Sequence, residues 1–163
     1  MKLYIQQKFF TIWGKYSVYH ENGDIAYYVQ GYPAWGKKMI IRDHNNVEVG
    51  MLKQELIHFL PTFQVWRKGK KVGYVSCKIS FIRPRLVMNY KGWKVIGDIW
   101  NWNYNVQDER GKPVAGVHQK IWHIMQHYEI HAENDADALD VLMLALAISA
   151  LKTAQKKAAA NSH

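Results

Sequence analysis

The stretch ALDVLMLALAISAL at residues 138–151 carries one acid near its start, one hydroxyl near its end and almost nothing polar between them. Coiled into a helix, it has no polar face. Such a helix is stable only when it is buried on all sides or placed in a membrane. At about 1.5 Å per residue it spans roughly 21 Å, whereas a bilayer core needs about 30 Å and about 20 apolar residues. The flanks support a water-facing start and finish. Asn134 or Asp135 makes a good N-cap, Asp137 and Asp140 fall in the first turns, and Lys152, Lys156 and Lys157 follow near the other end. These charges complement the helix dipole. A buried helix over about 135–157 is predicted, with AAANSH at 158–163 as a frayed tail.

What can surround a helix completely is set by the rest of the chain. The first 133 residues read as strands: KVGYVSCKISF and DIWNWNYNV alternate at period two and are rich in β-branched and aromatic residues. Turn signals separate them at ENGD 21–24, DHNN 43–46, RKGKK 67–71, NYKGW 89–93 and DERGK 108–112. Gly50, Gly73, Gly97 and Gly116 recur shortly after turns, where a strand glycine marks a bulge, a bend or a close backbone approach. Consensus motifs of solenoid repeats are absent. About five hairpins, or ten to twelve strands, would close into a barrel too wide for its own side chains to fill. A central helix fills such a space. The predicted fold is therefore mainly β: a closed antiparallel barrel of about twelve strands with the hydrophobic helix through its centre, forming one domain over 1–157.

Composition narrows the setting. At 48% hydrophobic residues the chain is globular and not disordered. Its one cysteine, Cys77, excludes a disulfide framework within the chain and fits a reducing cytoplasm. The N-terminal MKLYIQQKFFTIWGKY lacks the continuous apolar region of a signal peptide. Net charge is +9, and no acid occurs between Glu55 and Asp98. That interval suggests an electropositive face for anionic partners.

Within it, Arg67, Lys68, Lys70 and Lys71 lie on a hairpin tip, Lys78 points outward, and Arg83 and Arg85 flank Pro84. These seven are the candidate anion-binding residues for lipid or nucleic-acid phosphates. The competing reading is a solubilising hairpin whose lysines guard strand edges. Trp100, Trp102 and Tyr104 share one face of a predicted strand; inside the barrel they pack against the helix, and outside they could stack bases or sugars. Of His118, His123, His127 and His131, the last three would share a face and could bind metal on a helix, but the strand pattern spreads them apart. Cys77 falls on the inward face as an inert thiol. Asp135 and Asp137 spell DxD but read as capping. The GxSxG, HExxH, P-loop and dinucleotide motifs are absent. No catalytic residue, metal site or cofactor is predicted.

Several segments in order, YIQQKFF at the N-terminus, GKK at 36–38, FLPTFQV at 59–65, FIRP at 81–84 and GDIW at 97–100, together with the C-terminal apolar helix, resemble the bacterial members of the LURP-one-related family, a branch of the tubby C-terminal-like superfamily. The likeness runs from about residue 3 to 151. Ser149 stands where relatives tend to carry an acid. The resemblance implies a twelve-stranded barrel around a central hydrophobic helix. Tubby domains bind phosphoinositides and the related scramblases act at membranes, but the phosphoinositide motif has no residue-by-residue counterpart in this chain. The function expected is a non-enzymatic binding module, cytoplasmic and peripheral to the membrane, engaging anionic lipid. The alternatives are a single-stranded nucleic-acid binder using the same cations, and an enzyme or small-ligand carrier with a pocket at a barrel end.

Overall fold

The computed structural model describes residues 1–6, 14–32, 37–55, 60–78, 85–122 and 125–161. Twelve strands precede one long helix. They are β1 (Lys2–Gln6), β2 (Gly14–His20), β3 (Ile25–Tyr32), β4 (Lys38–Asp43), β5 (Glu48–Glu55) and β6 (Thr62–Arg67). The second half comprises β7 (Lys70–Lys78), β8 (Arg85–Tyr90), β9 (Lys94–Asp98), β10 (Asn103–Gln107), β11 (Pro113–Trp122) and β12 (Met125–Ala132). The helix α1 covers Ala138–Asn161. A short 3-10 turn over Asp135–Asp137 leads into it, and Asn134 caps that turn by accepting from the Ala136 amide at 3.1 Å. The tail expected from residue 158 is helical through Asn161.

All strand pairs are antiparallel, and β1 pairs with β12, so the sheet curls into a nearly closed barrel. Its two edges are β8 and β9. They share a tight turn in which the Trp93 amide donates to the Tyr90 carbonyl at 3.1 Å, and among the described residues no ladder joins them beyond it. Because the strands alternate in direction, the short turns gather at one rim with the start of α1. The other rim receives the helix end and the Ile99–Asn101 turn between β9 and β10. Asn46, Gly23, Gly69, Gly92 and Gly111 take the positive φ that these short turns require.

Period-two alternation sends Leu3, Ile5, Val18, Ile41, Leu52, Val65, Val75, Tyr104, Val117 and Ile130 to the interior. There they surround α1, in which no residue from 138 to 151 is more than 7% exposed. The apolar stretch is the core of the barrel, as its pattern predicts.

The recurring strand glycines make room for this packing. A Cβ at Gly50 would come within 2.6 Å of Met143 Sδ on α1, so this glycine lets the helix lie close to β5. A Cβ at Gly73 would run into the Asn89 carbonyl of β8. Backbone cannot swing aside as a methionine can, so Gly73→Ala is expected to cost about 1–3 kcal/mol. Thermal denaturation measures this, and an unchanged melting temperature would mean that β8 yields freely.

One predicted strand is broken. DIWNWNYNV alternates throughout, yet Ile99–Asn101 form a 3-10 turn between β9 and β10. The Asp98 carboxylate accepts from the Trp100 and Asn101 amides, both at 3.1 Å. Trp102 then takes a left-handed conformation (φ 55°). Trp102 and Tyr104 still enter the core, whereas Trp100 sits on the turn and does not share their strand face.

Candidate functional site

The basic segment is continuous in sequence and divided in space. Lys68, in the β6–β7 turn, and Lys70, at the start of β7, lie at the helix-entry rim. Lys78 and Arg85 lie at the far end of β7 and the near end of β8, at the helix-exit rim. At about 3.3 Å per residue, β7 holds the two groups roughly 27 Å apart. Arg83, the FIRP motif and His123 lie outside the described residues.

At the entry rim, Arg67 turns inward. Its Nη1 and the Tyr90 hydroxyl each donate to Asp140 Oδ1 at 2.5 Å, while Lys91 Nζ donates to Asp140 Oδ2 at 2.9 Å and to Asp137 at 2.6 Å. The Asp140 side chain is 8% exposed. Burial alone would raise its carboxyl, but hydrogen bonds from Tyr90, Lys91 and Arg67 hold it below its ordinary range. Burial, with the Asp140 charge beside it, pushes the Tyr90 phenol far up. This cluster fastens the β6–β7 hairpin and the β8–β9 turn to the first turn of α1. Lys71 is likewise engaged, 3.2 Å from Glu55. Asp43, Asp108, Asp135, Asp137 and Asp140 also gather at this rim, so its charge is mixed.

The exit rim is different. Lys38 lies directly opposite Lys53, and Lys78 directly opposite Arg85, each pair facing outward. Like charges in these positions destabilise a sheet, and none of the four has an ion-pair partner among the described residues. Lys156 and Lys157 on the last turns of α1 add to the same end. Burial, then the neighbouring Lys157, lowers the Lys37 amine. Lys152 Nζ sits 2.5 Å from the Trp100 carbonyl and 4.4 Å from the Trp102 ring centroid. Burial and then Lys156 bring it down to about 8. The acids toward this rim are occupied: Glu55 with Lys71 and Gln64, Asp98 with its capped turn.

The other candidates fall where packing puts them. Cys77 is buried, burial pushes its thiol up, and Gln155 donates to its sulfur at 2.9 Å. His118, His127 and His131 are spread over the outer face of β11 and β12, with His118 Nδ1 2.9 Å from Asn103 Oδ1. Among the described residues no group of side chains is placed to hold a metal ion. Nor is any helix of these residues long and apolar enough to cross a membrane. Two depressions open on the outer wall, one of about 560 Å³ along β5–β8 and one of about 300 Å³ between Tyr4, Tyr19 and His127.

A twelve-stranded barrel whose interior is filled by its own helix is a tubby-like fold. The chain belongs to the LURP-one-related family, whose profile matches residues 1–149. It is similar to the uncharacterized protein YxjI of Bacillus subtilis (strain 168), with 23% identity over 137 residues covering 83% of this chain and 85% of that protein. In fold it is similar to an Arabidopsis thaliana protein solved by X-ray crystallography. That match has a TM-score of 0.56 and 18% identity, and covers 89% of this chain and 88% of the other. At the coarse level, family and fold define a binding module.

Proposed function

We infer that this chain is a non-enzymatic module that docks on anionic membrane lipid, peripherally and from the cytoplasm, with its helix-exit rim toward the bilayer. The observation that supports this is the concentration of cations there, above all the facing pairs Lys38–Lys53 and Lys78–Arg85. Folding places like charges side by side, which lowers stability unless an anion lies against them. Of the residues singled out from sequence, Lys78 and Arg85 belong to this rim, while Lys68 and Lys70 sit at the opposite one.

Flotation tests the reading. The protein is expected to rise with phosphatidylcholine–phosphatidylglycerol vesicles and not with phosphatidylcholine alone, less at high salt. Single-stranded DNA is not expected to displace it. Each basic side chain at an anionic surface contributes about 1 kcal/mol, so reversing two weakens binding roughly thirtyfold or more. Lys38→Glu with Lys53→Glu should show that loss, and Lys68→Glu with Lys70→Glu should not. Absence of flotation would end this reading, and full displacement by DNA would replace it with a nucleic-acid binder.

A further inference from the structure

The larger groove, about 560 Å³ on the outer wall of β5–β8, has a built floor. Thr62 of β6 lies opposite Ser76 of β7, and Ser76 opposite Val87 of β8, so outward-facing residues of three strands sit side by side. The hydroxyls are spent within the wall. Thr62 Oγ1 is 3.0 Å from Ser76 Oγ and 3.1 Å from the Leu60 carbonyl, and Ser76 Oγ is 3.3 Å from the Pro61 carbonyl. Both residues are buried, while Val87 is 41% exposed. What the groove offers a ligand is therefore largely carbon, from Leu60, Val87 and the Tyr74 ring. At its flank the Lys71–Glu55 pair is already neutral.

One pleat nearer the exit rim the character changes. Two residues along each strand from Ser76 and Val87, about 7 Å away, the same outward face carries Lys78 opposite Arg85. One pleat beyond the lining of an apolar trough thus lie two cations with no acid paired to them among the described residues. A bare anion would leave the trough empty, and an uncharged chain would leave the cations unmatched.

We propose that this groove holds a single-chain anionic amphiphile, its head on Lys78 and Arg85 and its chain along Val87, Ser76 and Tyr74. For its class of ligand the proposal rests on the anionic-lipid reading above. It adds a place where one molecule is gripped.

Calorimetric titration of the full chain with dodecyl phosphate, below its micelle concentration, is expected to show saturable binding. Inorganic phosphate and uncharged dodecyl maltoside should each bind about tenfold or more weakly, because each satisfies half of the site. Lys78→Glu with Arg85→Glu should weaken dodecyl phosphate by about tenfold or more. Val87→Trp, which fills the trough from an exposed position, should do the same without changing the melting temperature. Inorganic phosphate competing as well as dodecyl phosphate would overturn the proposal. So would variants that bind like the parent, or the absence of saturable binding. Flotation separates the two readings. Vesicle binding without dodecyl phosphate binding removes the groove and keeps the rim, whereas the reverse removes the membrane and keeps the groove.

Discussion

Leu146→Asp is expected to leave no soluble, folded protein. Leu146 is 1% exposed at the middle of α1, with barrel wall on every side. A carboxylate there has no partner, and burying an unpaired charge or a neutralised acid without hydrogen bonds costs several kcal/mol. A domain of this size is stable by only about 5–15 kcal/mol. Leu146→Ala gives the graded version, with a loss of about 3–5 kcal/mol from lost transfer energy and the cavity left behind. Soluble yield and circular dichroism measure the first, urea unfolding the second. A soluble Leu146→Asp protein with the parent's spectrum would mean that α1 is not the core.

The second large effect belongs to Asp140→Asn, expected to destabilise by about 3–5 kcal/mol at neutral pH. Removing one partner of a buried, hydrogen-bonded ion cluster strands the others, here Arg67 and Lys91. The pH dependence carries the signature. The folded-state pKa of Asp140 lies below its ordinary 3.8. Its contribution is therefore complete above that value and disappears as pH falls through the lower folded one. Parent and variant should differ widely in urea at pH 7 and converge in strong acid. Equal stability at pH 7 would show that the cluster is incidental.

Local features were the legible part of this chain. An apolar helix with charged ends and turns marked by glycine or asparagine each state their conformation within a few residues, and together they imply the barrel. Long-range pairing was not legible. Arg67 and Asp140 are 73 residues apart, and nothing near Arg67 says that it turns inward while Lys68 and Lys70 stay at the hairpin tip. The division of the basic segment has the same origin. A nine-residue strand carries neighbours in sequence to opposite rims, whereas Lys38 and Lys53 meet across a ladder. The break at Ile99–Asn101 is hidden in the sequence because the apolar–polar alternation runs straight through it, and only the Asp98 cap and the reversed Trp102 backbone mark the turn.

The position of α1 sets the order in which this protein can become stable. Synthesis delivers all twelve strands before the segment that fills them. Until the helix emerges, inward-facing residues such as Leu52, Phe63 and Val75 have no helix to cover them. At about 5–20 residues per second, that is an interval of several seconds for a nascent chain with a nearly complete sheet and no centre. A chain shortened before Ala138 would remain in that condition permanently. For this protein, adding the segment from Ala138 to Leu151 is what completes the fold.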